Sequence, residues 1–221
     1  MRSAAVYGID ALLVDIEVNL RQAAENDQSP NITIVGLPDT AVRESRERIR
    51  AAINNSGYFF PIQKITVNLA PADVRKEGAS FDLPSALGIL GANGDLTNGQ
   101  AIENTLSVGE LSLDGRVRPI RGALSIALAA RENGITNILV PEENAREAAV
   151  VQGVNVFPIR DLRQAANLVQ DLDSGGTTTV TPLKLDIAEL KSGAVSYTHL
   201  DVYKRQAKAA ACDAGGCSSR R

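Results

Sequence analysis

The sequence predicts a mixed α/β domain, and three features lead to that class. Early segments alternate apolar and polar residues with period two, an amphipathic helix interrupts them, and from Leu83 onward short helical and extended patterns take turns. Because a strand sends successive side chains to opposite faces, the alternation places strands over residues 4–10, 11–20, 31–35 and 64–69. Within DTAVRESRERIRAAINNSG, Asp39 is placed to cap a helix, Val42, Ile49 and Ile53 share one face, and Gly57 suits the left-handed residue that ends it. A second helix is predicted over 83–90, a strand over 106–111, a turn at Asp114-Gly115, a helix over 122–133 and a strand over 137–140. Shorter alternation of the same kind runs to Leu172.

The domain is therefore drawn over residues 1–172. Beyond it, DSGGTTTVTPLK is rich in Gly, Ser and Thr and poor in apolar periodicity, the composition of a linker, and LDIAELKSG opens a new segment. Residues 173–193 thus read as a linker and the start of a further module. From Ala194 the chain turns abruptly to basic and small residues. The run SYTHLDVYKRQ resembles spurious translation at the end of a truncated gene fragment, so 194–221 is set aside as a non-native tail.

With 44% hydrophobic and 22% charged residues among 221, the chain has ordinary globular composition. No apolar run approaches the ~20 residues that span a bilayer. The N-terminus also lacks the basic end, apolar block and cleavage site of an export signal, so a cytoplasmic protein with no membrane partner is expected. A formal net charge of −3 gives no overall reason to bind nucleic acid. The only histidine, His199, and both cysteines, Cys212 and Cys217, fall in the tail. Upstream of it no Ser-His-Asp triad, Cys-His pair or zinc site of the usual ligands can form, and no metal site is expected. The spacing of Cys212 and Cys217 suits neither a CxxC redox pair nor a four-ligand zinc site.

Two long stretches carry a family resemblance. The first, IVGLPDTAVRESRERIRAAINNSGYFFPIQKITVNLAPADVRKEGASFDLPSALGIL, runs unbroken through strand, helix, strand and loop. It closely resembles the corresponding segment of the ComM and YifB family, the Mg-chelatase-like (ChlI-type) AAA+ ATPases. The second, VGELSLDGRVRPIRGALSIALAARENGITNILVPEEN, taken with VRKEGASFDLPSALGILGA, resembles the proteolytic domain of Lon in content and order. The resemblance implies a ribosomal protein S5 domain 2-like fold shared with Lon, serving as an N-terminal module ahead of an ATPase. The positions it marks are Gly36, Pro38, Asp39, Lys76, Gly78, Ser80, Asp82, Gly109, Gly115, Pro119 and Gly122.

The same resemblance implies a chain cut off before its ATP site, since LDIAELKSG is similar to the stretch that leads these proteins into their AAA+ module. ATP and Mg2+ would belong to that module. The whole protein would form a homo-hexameric ring and remodel DNA by branch migration or helicase action in natural transformation; a role like that of the magnesium chelatase ATPase subunit is the alternative the family label suggests. No Gly-Lys pair occurs in the chain, so the GxxxxGK[ST] loop that cradles phosphates is absent and no cofactor is expected in it.

Lon-type proteases pair a Gly-x-Ser nucleophile with a lysine one turn into the helix that follows a Pro-Ile-x-Gly step. By resemblance Ser80 stands at the first position, and counting on from Pro119, Ile120, Arg121 and Gly122 puts Leu124 at the second. Leucine has no proton-accepting atom, so the dyad is broken and a non-catalytic domain is expected. A Ser-Lys peptidase would need Lys76 or Lys64 to swing towards Ser80, whereas the plainer reading makes Ser80 the cap of the helix containing Leu83. Arg43, Arg46, Arg48 and Arg50 give the helix after Asp39 a basic character. Glu44–Arg48 and Arg43–Glu47 pairs would make that face simply solvated; otherwise the arginines are candidate contacts with DNA or a neighbouring subunit. Tyr58, Phe59 and Phe60, directly before Pro61, are expected to pack in a core or interface.

Overall fold

In a computed structural model, which describes residues 1–22, 32–73, 76, 78–96, 100–175 and 177–185, the alternating N-terminus folds back on itself. Strand β1 (Arg2–Tyr7) pairs antiparallel with β2 (Asp10–Arg21), and Gly8 and Ile9 form the turn. The predicted break fell slightly later, because alternation continues through Ile9 and does not itself mark a turn. Strand β3 (Ile32–Val35) leads into helix α1 (Thr40–Asn55), and β4 (Lys64–Ala70) returns parallel to β3 and antiparallel to β2. Helices α2 (Asp82–Asn93) and α3 (Gln100–Asn104) precede β5 (Thr105–Ser107). A small hairpin of β6 (Glu110–Leu111) and β7 (Val117–Arg118) turns through Asp114-Gly115 as predicted. Helix α4 (Ala123–Glu132), β8 (Asn137–Pro141), a 3-10 turn (Glu142–Asn144), α5 (Ala145–Ala148), β9 (Asn155–Ile159) and α6 (Leu162–Ser174) complete the order.

The main sheet runs β3-β4-β2-β1-β5-β8-β9 and is mixed: β1, β5, β8 and β9 run parallel, as do β3 and β4, with the antiparallel β2 between. Strand parity sets its two faces. Ile16 and Val18 of β2 meet Gly88 of α2, where a Cβ would lie 2.9 Å from Val18, while Val6, paired with Ala11 of opposite parity, meets Gly122 before α4. Helix α2 therefore covers one face and α4 the other. The core on the α2 side joins Val14, Ile16 and Val67 of the sheet to Ile49 and Ile53 of α1, Leu83, Leu87 and Leu90 of α2, and Leu168 of α6. The predicted α/β class holds, with Val42, Ile49 and Ile53 buried together as their spacing required.

Helix α1 begins where its sequence said: Asp39 accepts the Val42 N–H at 2.8 Å. Its far end is closed by a distant residue, since Arg163 of α6 donates twice to the Ser56 carbonyl, at 2.9 and 2.7 Å, placing a cation where the helix dipole is negative. Between the two ends, Arg48 crosses to α2. Its Nε donates to Asp82 Oδ2 at 2.8 Å, and Nη2 reaches Ser45 Oγ at 3.0 Å. Asp82 is fully buried and also accepts the Leu111 N–H at 3.2 Å, so one carboxylate ties together α1, α2 and β6. Burial pushes its pKa up, and the hydrogen bonds from Arg48 and Ser45 oppose that; Arg48 in turn is raised by its bond to Asp82.

Two expectations need correction. The strand predicted over 106–111 is two strands in different sheets, separated at Val108 and Gly109. At the break the Gly109 N–H donates to Ser80 O at 2.9 Å and its carbonyl accepts from Leu83 N at 3.0 Å, so the backbone leaves the sheet to dock on the start of α2. A Cβ at Gly109 would lie 2.6 Å from Val117, which is why only glycine fits that approach. The domain also runs past 172: the chain divides into units Met1–Lys184 and Leu185–Arg221. In the first unit Val180 is buried in the core, Leu183 N donates to Val156 O at 2.7 Å, and the Thr179 N–H and hydroxyl both reach Asp171 at 2.8 Å. Low apolar periodicity hid one buried valine that suffices to dock the segment. Residues 186–221, with the rest of the predicted linker and the tail carrying His199, Cys212 and Cys217, lie outside the described residues.

Replacing Asp82 by Ala is expected to lower the unfolding free energy by about 3 kcal/mol, because it strands Arg48 with no carboxylate. The pair Arg48→Met with Asp82→Leu should recover most of that loss, since removing both charges also removes their desolvation cost. Urea titrations of the two variants decide it: a double variant no better than Asp82→Ala would show that shape, not charge, matters at this junction.

Candidate functional site

Five of the residues marked in the sequence, Gly36, Pro38, Asp39, Lys76 and Gly78, gather in the loops that follow the parallel strands β3 and β4, the end of an α/β sheet where loops build sites. The turn after β3 is tight. A Cβ on Gly36 would lie 2.1 Å from Leu69 O, so no side chain fits there, and the next residue, Leu37, is held at φ 54, an unusual conformation for leucine, with its side chain 56% exposed. The loop after β4 pairs with this turn. Lys76 N donates to Leu37 O at 3.3 Å, Asp39 N donates to Lys76 O at 3.1 Å, and Gly78 N donates to Asp39 Oδ2 at 3.1 Å. Gly36, Pro38, Asp39, Lys76 and Gly78 thus form one backbone-stitched unit, in which Asp39 serves both helix α1 and the opposite loop.

Lys76 does not stand free in its loop. Its side chain is fully buried and its ammonium donates to the Pro71 carbonyl. Burial pushes its pKa below the ordinary 10.5, and Asp73 partly opposes the shift. Lys64 opens β4 opposite Arg21. Ser80 is half-buried just before α2, but it does not cap the helix as predicted. Phe81 holds the cap position without a side-chain bond, and what satisfies the first turn is the Gly109 carbonyl on Leu83 N. Ser80 contributes its own carbonyl to Gly109 instead. The one serine of α2, Ser85, is buried.

Leu124 sits half-buried in the first turn of α4, a helix whose N-cap, Gly122, has no side chain to offer. Glu147 of α5 supplies the acceptor from outside, taking the Leu124 N–H at 3.1 Å. Asn144 bonds both backbone groups of Ile120, at 2.8 and 2.9 Å, and so fixes the approach through Pro119 to Gly122. Gly115 packs against Ser56 at the end of α1, where the β6–β7 hairpin touches that helix, and Asn55 donates to Leu113 O at 2.7 Å.

The four arginines of α1 separate into two groups. Arg48 is spent on Asp82 and is no longer a candidate external contact; its sequence partner Glu44 is only the weakest of the acidic influences on it. Arg43, Arg46 and Arg50 are exposed. At i, i+3 and i+7 they form one stripe. Arg50 stands over the Phe60 ring, 5.8 Å from its centroid. Glu44 and Glu47 are exposed on the same helix. Against expectation, Phe59 does not pack: it is 88% exposed, while Tyr58 and Phe60 are half-buried and Pro61 is buried. Residues 58–61 carry no regular secondary structure, and burial there follows no period: Phe59 and Ile62 face outward while Pro61 between them is buried, so no local pattern in the sequence marks Phe59 as exposed. Among the described residues no group of histidine, cysteine and carboxylate side chains could hold a metal, and no helix is long and apolar enough to cross a membrane.

Lys76 makes a pH-dependent prediction. Its folded pKa lies below 10.5, so between that lowered value and 10.5 the unfolded chain holds more protons and stability rises with pH. Below the lowered value it is charged in both states and the full burial cost applies. Lys76 therefore contributes a rise with pH in the alkaline range, opposed there by Tyr58, whose burial raises its pKa above 10.0. Lys76→Met should thus make the alkaline dependence of the unfolding free energy less positive; identical slopes in denaturant titrations of the two proteins would refute the assignment.

Comparison with known proteins agrees with this geometry. The family described as subunit ChlI of Mg-chelatase matches residues 16–144. An uncharacterized protein of Mycobacterium tuberculosis is 42% identical over 162 residues, which is 73% of this chain and 31% of the relative. YifB of Escherichia coli is 42% identical over 153 residues (69% and 29%), and the competence protein ComM of Haemophilus influenzae 39% identical over 155 residues (70% and 29%). Lon proteases match more distantly, at 26–28% identity. The chain spans about 30% of the length of the YifB relative it matches. The match over residues 16–144 and these relatives lead to one assignment: the chain belongs to the Mg-chelatase-like ChlI family, together with the YifB and ComM proteins.

Proposed function

We propose that this chain is a non-catalytic N-terminal module of an Mg-chelatase-like AAA+ ATPase that remodels DNA, and that Arg43, Arg46 and Arg50 carry the module's contact with DNA. The exposed arginine stripe on α1 is the observation that supports the reading. It gives the domain a local positive surface that the net charge of −3 conceals. The likeness to competence protein ComM supports a DNA substrate for the whole protein. ATP and Mg2+ are assigned to the AAA+ module of the whole protein, which works as a homo-hexameric ring; this chain has no Gly-Lys pair from which to build a phosphate loop.

The non-catalytic part of the reading rests on the absence of a base for Ser80. Leu124 has no proton-accepting side-chain atom, and the Lys76 ammonium is occupied by the Pro71 carbonyl. Asp39, Lys76, Asn144 and Glu147 are each engaged with backbone at a loop or helix end, which favours a supporting role for the module.

Reversing the stripe with Arg43→Glu, Arg46→Glu and Arg50→Glu should abolish salt-sensitive binding of single-stranded DNA. The dependence of log affinity on log salt should lose about two units of slope, roughly 0.7 for each phosphate contact. Unchanged binding would remove α1 from consideration. A serine-reactive fluorophosphonate should leave Ser80 unlabelled, with an unfolded casein substrate uncut. Labelling that disappears in Ser80→Ala would instead establish a peptidase.

A further inference from the structure

We infer that Phe59 is a base-stacking platform, so that the α1 surface takes single-stranded rather than duplex nucleic acid; this rests on the arginine stripe being a nucleic-acid contact. A phenylalanine 88% exposed, beside an isoleucine, Ile62, 72% exposed, does nothing for the fold that presents it. Their presentation is nonetheless rigid. Phe60 N donates to Asn54 Oδ1 at 3.3 Å, Asn55 is tied to Leu113 O, and Arg163 holds the Ser56 carbonyl, so the segment leaves α1 at a fixed angle. Pro61, buried between the two exposed residues, anchors the segment.

The neighbouring charges decide what the ring is for. Arg43, Arg46 and Arg50 run about 10 Å along the helix at 1.5 Å per residue. The last of them lies over Phe60, one residue from Phe59. The run of guanidinium groups therefore ends at an aromatic pair, Phe60 already covered by Arg50 and Phe59 open. Cations follow a backbone and an open ring accepts an unstacked base, the combination by which proteins hold single strands without reading sequence. In a duplex the bases are stacked on one another and Phe59 has nothing to receive. A protein partner would also value Phe59 and Ile62, but it would not need three guanidinium groups leading to them.

The chain contains no tryptophan, so Phe59→Trp introduces a unique fluorophore at the site. In the full 221-residue chain, Phe59→Ala should weaken binding of an oligothymidylate about ten-fold, leave the salt slope unchanged and leave duplex binding as it was. Phe59→Trp should retain the affinity, and its emission should be quenched by the oligothymidylate and not by duplex. If Phe59→Ala binds as tightly as the unaltered chain while the triple arginine reversal abolishes binding, the stacking assignment fails and the arginine contact stands. If neither change alters binding, or the unaltered chain binds no single strand, both fall. Loss of self-association in Phe59→Ala at unchanged DNA affinity would make the patch a protein interface and overturn the assignment. Thermal melts control for folding, which an 88% exposed side chain should not affect.

Discussion

A single buried carboxylate organises half of this domain. Asp82 takes hydrogen bonds from Arg48 on α1 and from the β6 backbone while standing in the first turn of α2, where the helix dipole favours a negative charge. Burying it would be costly alone, and each partner offsets part of that cost. The junction fixes α1 relative to α2, and through α1 it fixes both the Asp39 end, with its stitched loop pair, and the Ser56 end, with its exposed aromatic segment. It also commits Arg48 inward. The other arginines of the helix face water because the helix cannot turn without breaking this pair.

The legible part of the fold was local. Asp39 as a cap, the Val42, Ile49 and Ile53 face, and the Asp114-Gly115 turn each depend on residues within a few positions of one another, and each appears where the sequence put it. Arg48 and Asp82 are 34 residues apart, and nothing near either of them named the other. Gly109 looked like strand because its neighbours are apolar, whereas its backbone was needed at α2. Ser80 looked like a cap because serine commonly is one, but a carbonyl from Gly109 already satisfied the helix. The family positions were recognisable as a set; only the structure separated those that stitch backbones, such as Asp39, from those that accept a close approach, such as Gly36. Phe59 was misread because an aromatic run beside a proline suggests a core, whereas in an irregular segment tertiary contacts alone decide which ring is covered.

The polar groups of the Lon-like surface share a character. Lys76, Asp82, Asn144 and Glu147 each satisfy backbone or a buried partner, and an atom so engaged is not available to a substrate. The exposed arginines Arg43, Arg46 and Arg50 and the exposed ring of Phe59 lie instead on α1 and just after it.

The segment docked on β9 has a further consequence. Edge strands expose a row of unpaired backbone groups that other chains can extend, and β9 is one edge of the main sheet. Leu183 takes up one carbonyl of that edge while Val180 fills the apolar slot behind it. A version of the chain shortened to the boundary its sequence suggests would uncover both at once: a sticky strand beside an open hydrophobic slot. The plain-looking threonine-rich stretch thus covers part of an edge that the strand order leaves open.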